Sequence, residues 1–383
     1  MNTLSYKTRT IFQGRENPNF NPKFIPIAID IGYSAVKGFS QHMMYAFPSY
    51  AKKISSLPIS LGKAEGNEIF YCDESGDMFA IGANAQSLIS INSSNDSSES
   101  LYGRNRYFSE VFRIVSRVGI ALGLIGSDPN ARPVIQTGLP ARYIKDDAPL
   151  LKESLAGEHN FKLKIGSGEW NDFHFILTEE DIRIMAQPMG TLTSITMENN
   201  GRPSSDAKNI FGSNTLIFDA GFGTLDTHLI KGKSIADHQT FDFLGMKQVL
   251  QNTADRIYKE HGVSIEVAAM QTCLEKGTFI KLDRRLMRSV PYPFDDILME
   301  ESKKVCMQAL DKMKELYNYF VEIDYLIITG GTSAAWSDFI REHLSGMETL
   351  KIISGNINDD IPYIFANVRG YYMFLINSLR AVV

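Results

Sequence analysis

The sequence predicts an α/β chain of two similar domains, with helices covering buried sheets. Three observations carry this prediction. Short apolar runs of strand type mix with amphipathic helical stretches throughout. A D-x-G-aromatic-small pattern at Asp30-Ile31-Gly32-Tyr33-Ser34 returns 189 residues later as Asp219-Ala220-Gly221-Phe222-Gly223-Thr224. The length, 383 residues, allows two domains with a core each.

The elements follow in order. Residues 1–23 read as a polar, mobile arm without the apolar stretch of a signal peptide. Ile25–Ile31 is a buried strand, and Ala35–Ser40 and Met43–Phe47 continue it as a meander. Ile69–Tyr71 and Met78–Ile81 form a hairpin around Glu74-Ser75-Gly76-Asp77. The low-complexity stretch at 92–100 reads as a mobile loop. Phe108, Val111, Phe112, Val115, Val118 and Leu122 share one helical face. A strand is expected over 132–137 and a strand-like run over 173–184. Pro188 suits the first turn of a helix running to about Asn199.

The second half starts with a strand at 215–218 and its hairpin mate at 225–230. Helices are expected over 245–259 and 295–320, the latter with Val305, Leu310, Met313, Leu316 and Phe320 as its core stripe. A buried strand at 325–328 runs into Thr329-Gly330-Gly331-Thr332, and a helix opens at Ser333. A last helix begins near Pro362. The expected domains are 24–186, completed by 362–383, and 187–361.

Composition narrows the function classes. Hydrophobic residues are 44% and charged residues 22%, ordinary for a folded chain. With 39 basic and 44 acidic residues the net charge is −5, which gives no global surplus for binding DNA or RNA directly. Cys72, Cys273 and Cys306 are scattered, which speaks against a disulfide framework or zinc site and for a reducing cytoplasm. No run of about 20 apolar residues predicts a membrane span. His228 reads as a structural strand residue, and Met185, Met189 and Met197 as core filler.

The repeated pattern carries the chemistry. Glycine in such a turn permits a positive φ and close approach of backbone to a ligand. Successive N–H groups there form an anion-binding concavity. A neighbouring carboxylate repels phosphate, so its natural role is to hold Mg²⁺ directly or through water. Two such hairpins suit a triphosphate. Lys37, seven residues after Asp30, reads as a point charge for the phosphates. Gly330 and Gly331, between a strand and a helix, suit close approach to a nucleotide. Each feature alone is also an ordinary turn.

In this order the three pieces resemble the actin, Hsp70 and sugar-kinase superfamily of ATPases, with its duplicated actin-like (ribonuclease H-like) domains and a nucleotide cleft between them. Asp30-Ile31-Gly32 is similar to the first phosphate motif, Asp219 to Thr224 to the second, and Thr329 to Thr332 to the adenosine motif. Phe79-Ala80-Ile81-Gly82-Ala83-Asn84-Ala85, Thr137-Gly138-Leu139-Pro140, Ala186-Gln187-Pro188-Met189-Gly190 and Phe365 to Tyr372 are similar to segments of the plasmid-segregation actins, the ParM/StbA family.

The resemblance implies residue roles. Asp30 and Asp219 would hold Mg²⁺ through waters. Gly32, Tyr33, Ser34, Gly221, Phe222, Gly223 and Thr224 would contact phosphates, with Lys37 as the phosphate lysine. Gly330, Gly331 and Thr332 would face the adenosine. Gln187 would orient the attacking water, and Asp226 would support the second hairpin. A helix near 245–252 would face the adenine.

It also implies a slow ATPase that polymerises head-to-tail with ATP (or GTP) and Mg²⁺ and disassembles after hydrolysis. Its partner would be a DNA-binding adaptor on a plasmid centromere, with no direct nucleic-acid or membrane contact. Two other readings stay open on the same fold: a small-molecule kinase and a nucleotide-gated binding protein.

Overall fold

The computed structural model describes residues 3–58, 66–88, 104–283, 285 and 287–380. The loop expected at 92–100 lies outside the described residues. The chain divides into two compact units. The larger holds the described residues of Thr8–Ile89, Ser93–Ala207 and Asn356–Val383, and the smaller those of Met1–Lys7 and Lys208–Gly355.

The larger unit opens with strands β1 (Ile11–Gly14), β2 (Phe24–Ile31), β3 (Ala35–Ser40), β4 (Met43–Pro48), β5 (Ala51–Ile54), β6 (Ile69–Cys72) and β7 (Met78–Ile81). Helices α1 (Ala83–Ser87) and α2 (Glu110–Leu124), strand β8 (Arg132–Leu139) and helix α3 (Ile144–Leu155) follow. Strands β9 (Gly157–Ile165), β10 (Asn171–Leu177) and β11 (Ile182–Ala186) lead into α4 (Gln187–Thr196).

Helix α5 (Ala207–Gly212) leads into the smaller unit, which continues with strands β12 (Thr215–Ala220), β13 (Leu225–Lys231) and β14 (Ser234–Phe241). Next come α6 (Met246–His261), α7 (Val267–Lys276), the hairpin β15 (Thr278–Asp283) and β16 (Arg288–Pro293), and α8 (Asp295–Leu316). Strand β17 (Tyr325–Thr329), helix α9 (Ser333–His343) and strand β18 (Lys351–Ser354) complete it. Helix α10 (Ala366–Arg380) belongs to the larger unit.

The duplication is visible in the strand orders. The larger unit's main sheet runs β1-β4-β3-β2-β8-β11, and the smaller unit's runs β14-β13-β12-β17-β18. In both, the first strand is antiparallel to the second and parallel to the fourth, and the fourth is parallel to the fifth. The larger sheet has one extra edge strand, β1. A second sheet of the larger unit runs β10-β9-β6-β7-β5.

Burial on both faces explains the continuous apolar run of β2. Against one face lies α2, with Phe112, Val115, Val118 and Leu122 buried. It packs closely because Gly119 and Gly123 face Ile29 and Ile27, where an added Cβ would come within 2.5 and 2.7 Å of those side chains. Against the other face lies α10, whose Tyr371 and Tyr372 share a core with Ala28, Phe39 and Met44.

Several expectations are corrected. The N-terminal arm is not free. Thr3 and Tyr6 are buried, and the Thr3 hydroxyl donates to the Leu274 carbonyl. β1 pairs antiparallel with β4 and so covers the sheet's edge. Phe108 is 59% exposed, because α2 begins only after Ser109, whose side chain caps it. The run over 173–184 splits into β10 and β11, which belong to different sheets. α8 stops at Leu316 rather than at Phe320. Asn318, Tyr319 and Phe320 all adopt positive φ, which no right-handed helix holds, and Leu316 is exposed.

The boundary expected at 186/187 lies instead near Ala207. α4 stays with the larger unit because it crosses α10 at near backbone contact. An added Cβ on Gly370 would lie 1.7 Å from the Gly190 carbonyl oxygen. The Thr191 hydroxyl donates to Asn367 Oδ1 at this crossing, and Arg369 donates to the Ser194 carbonyl at 2.6 Å. Arg369 is fully buried beside Asp359, which lies 2.8 Å from Arg15 of the N-terminal segment.

Candidate phosphate-binding site

The first hairpin joins β2 to β3. Gly32 N–H donates to the Ala35 carbonyl at 3.0 Å, closing a tight turn. Ser49 N–H donates to the Ser34 carbonyl and Ser49 Oγ to the Gly32 carbonyl, which fixes the turn from below. A Cβ on Gly32 would lie 2.9 Å from the Ala35 carbonyl oxygen. Ser34 makes no hydrogen bond through its own N–H or hydroxyl among the described residues.

The second hairpin, between β12 and β13, repeats this geometry. Gly221 N–H donates to the Thr224 carbonyl at 2.8 Å, and a Cβ on Gly221 would lie 3.1 Å from that oxygen. Neither Gly32 nor Gly221 has the positive φ expected of them. Their need for glycine is close approach of the chain to itself. Among the described residues the N–H groups of Phe222 and Gly223 have no acceptor. They form the kind of donor cluster that takes an anion.

Elements of the smaller unit clamp this second hairpin. Met246 and Lys247, at the start of α6, donate backbone N–H to the Gly221 and Phe222 carbonyls. Thr332 donates its hydroxyl to the Gly221 carbonyl at 2.7 Å and its N–H to the Ala220 carbonyl. Gly330, at φ +90°, passes so close that a Cβ would lie 2.4 Å from Asp219 Oδ1 and from the Ala220 carbonyl oxygen. Here the left-handed backbone and the crowding both demand glycine. Gly331 follows in the same turn, before α9.

The carboxylates are placed differently from one another. Asp30 lies directly opposite Lys37 in the β2–β3 ladder, and the two form an ion pair at 2.8 Å. Expected to serve metal and phosphate separately, they neutralise each other in this geometry. Asp219 lies opposite Asp226. Asp226 accepts from the hydroxyls of Thr224 at 2.8 Å and Thr240 at 2.6 Å. Burial pushes its carboxyl above the usual range. The second hairpin thus sets two carboxyl groups opposite each other, whereas the first sets Asp30 opposite a lysine. Among the described residues no cluster of three or more His, Cys, Asp or Glu could hold a metal by itself.

Gln187 stands at the start of α4, half-buried, with no side-chain hydrogen bond among the described residues. β2, β8 and β11 run parallel, so Gln187 and the first hairpin lie at the same carboxyl end of the sheet, where α/β ligand sites form. Asp219 and Thr329 are register partners at the carboxyl ends of β12 and β17. Sequence reasoning missed Ser49 and Thr240, which support the two turns. Neither carries a local pattern to find it by. Among the described residues, no helix is long and apolar enough to cross a membrane.

The topology and the two hairpins define an actin-like fold. Residues 28–190 match the family model of the N-terminal domain of actin-like proteins. The whole chain has the fold of solved actin-like proteins. A non-polymerisable quadruple mutant of pCBH ParM superposes with a TM-score of 0.69 at 19% identity, covering 92% of this chain and 98% of that one. An archaeal actin homologue in complex with ADP gives 0.59 at 16%, covering 91% and 98%. The Alp12 filament structure gives 0.59 at 15%, covering 93% and 99%. No curated protein matches the chain in sequence.

Proposed function

We propose that this chain is a cytoplasmic, nucleotide-dependent actin-like ATPase that assembles head-to-tail with copies of itself and segregates plasmid DNA through a DNA-binding adaptor. The observation that carries the reading is the pair of hairpins with one geometry, closed by Gly32→Ala35 and Gly221→Thr224 hydrogen bonds. The ADP complex of the archaeal homologue and the filament of Alp12 support the same direction.

In this reading each hairpin offers backbone N–H groups to phosphate oxygens of ATP or GTP. Ser34 adds a hydroxyl, Thr224 adds its backbone N–H while its hydroxyl is donated to Asp226, and Lys37 leans over Gly32, 3.6 Å from where a Cβ would sit. Asp219 is the metal-side carboxylate, and Asp30 holds Lys37 in place. Gly330, Gly331 and Thr332 keep the backbone close enough for a nucleoside. Gln187, with its amide uncommitted, orients the attacking water. Bound Mg²⁺ would neutralise phosphate charge. Hydrolysis of this kind needs positioning and charge stabilisation more than covalent help, which suits a slow ATPase.

Phosphate release from ATP–Mg²⁺ by the purified chain tests the enzyme assignment. Wild type is expected to turn over slowly, and Asp219→Asn to lose at least about tenfold. Equal rates in the two proteins would remove Asp219 from the mechanism.

A further inference from the structure

Building on the phosphate-site reading of the first hairpin, we propose that Arg106 is a positioning residue for that hairpin: its guanidinium holds the Tyr33 ring and supplies a positive charge, paired with no acid among the described residues, that favours a polyphosphate there. No motif marks Arg106. It lies in the short 3₁₀ turn Arg104–Phe108 that precedes α2.

Its surroundings are aromatic. The guanidinium carbon sits 4.4 Å from the centroid of Tyr33, 5.5 Å from Phe112 and 5.6 Å from Tyr107. The backbone that carries it is anchored on its far side. Tyr107 is buried and donates its hydroxyl to Asp147 at 2.9 Å, and Ser109 caps α2. Yet Arg106 Nη1 is buried with no hydrogen-bond partner, and no carboxylate pairs with this side chain among the described residues.

That combination is not that of a core arginine. Arg369 and Arg117, the arginines that are buried as whole residues in this unit, are each held by a carboxylate and further acceptors. Among the described residues Arg106 has rings and no acid. Lys37, the expected phosphate cation, already faces Asp30. Arg106 is therefore a positive charge beside hairpin one that no acid among the described residues cancels. A planar guanidinium on an aromatic face is attracted by the ring quadrupole, so it restrains Tyr33 and with it the flanking Gly32 and Ser34. Restraint of the donors before binding favours affinity. A partly buried unpaired cation also attracts an anion with little screening.

The test titrates ATP–Mg²⁺ and, separately, inorganic tripolyphosphate into wild type, Arg106→Gln, Arg106→Lys, Tyr33→Leu and the Arg106→Gln/Tyr33→Leu double variant. Melting temperatures are recorded alongside. Arg106→Gln is expected to weaken both ligands about tenfold with little change in melting. Arg106→Lys, which keeps the charge but not the planar stack, recovers part of that loss. The double variant is expected to bind no more weakly than the worse single variant, because the two residues act as one unit. Wild-type affinity in Arg106→Gln, or losses that simply add, would overturn the proposal while leaving the site reading intact. If Arg106→Gln does not fold, Arg106→Lys decides, with wild-type affinity as the contrary result. Wild type that binds neither ligand would remove the site reading and this proposal together.

Discussion

Lys37 and Asp226 occupy the same place in two copies of one hairpin, one a lysine and the other an aspartate. Each lies seven residues after the hairpin's first aspartate and directly opposite it in an antiparallel ladder. In the first copy the aspartate is paired with a lysine, and in the second it faces another carboxyl group.

The ion pair in the first copy is therefore expected to behave as a unit. Lys37→Met leaves Asp30 largely buried without its cation, at a cost of about 2 kcal/mol. Asp30→Asn alone leaves Lys37 unpaired. The Asp30→Asn/Lys37→Met double variant should melt closer to wild type than the two single losses added together predict. Thermal unfolding of the four proteins checks this, and strict additivity would contradict the pairing.

Gly330→Ala is expected to be the most damaging glycine substitution at the site. Its Cβ would collide with Asp219 Oδ1 and the Ala220 carbonyl oxygen at 2.4 Å, on a backbone at φ +90°. Gly221→Ala, with 3.1 Å to the Thr224 carbonyl oxygen, should be milder. Nucleotide affinity and melting temperature, measured for both, should fall in that order.

The stretches that most resemble the plasmid-segregation actins have a structural explanation. Ala186 to Gly190 and Phe365 to Tyr372 meet at the α4–α10 crossing. Gly370→Ala places a Cβ against the Gly190 carbonyl and should destabilise by about 1–3 kcal/mol or prevent folding. The effect should appear as lost stability or soluble yield. A fully stable Gly370→Ala protein would refute the crossing.

Low pH should weaken the smaller unit. Burial pushes His228 down to about 4, with His238 adding to the fall and Asp237 opposing it. Its Nδ1 is buried without a partner. An unfolded histidine titrates near 6.5, so the folded state binds fewer protons below that value. Stability is therefore complete above about pH 6.5 and declines as the pH drops toward about 4, by on the order of 2–3 kcal/mol. His228→Phe should flatten the melting temperature against pH over that window. An unchanged slope would show that other groups dominate.

Removal of residues 1–14 should lower the melting temperature and promote association. The deletion uncovers the β4 edge that β1 pairs, and removes the buried Thr3 and Tyr6. A truncated chain that melts and sediments as the intact one does would show that the segment is dispensable.

These contrasts explain what was legible in the sequence. Both hairpins were, because D-x-G between apolar strands is a local pattern and its spacing reports duplication. Strands buried on both faces, such as β2 and β12, show as apolar runs. The N-terminal segment was not legible, since β1 is a four-residue edge strand whose support comes from β4, about 30 residues later. The end of α8 was hidden because a hydrophobic stripe continues through Phe320, which is buried from a non-helical backbone. The Asp30–Lys37 pair lay open as i, i+7 spacing across a turn, but only register shows that the two face each other. Arg106 had no signal, because its ring contacts come from residues distant in sequence.

Right-angle light scattering of the full chain after addition of ATP and Mg²⁺, with ADP as the comparison, tests the central claim most directly. Nucleotide-driven assembly predicts a rapid rise with ATP that decays as phosphate is released, and little change with ADP. A flat trace with ATP at high protein concentration, from a chain that demonstrably binds it, would contradict a filament and return the fold to the kinases or nucleotide-gated binders.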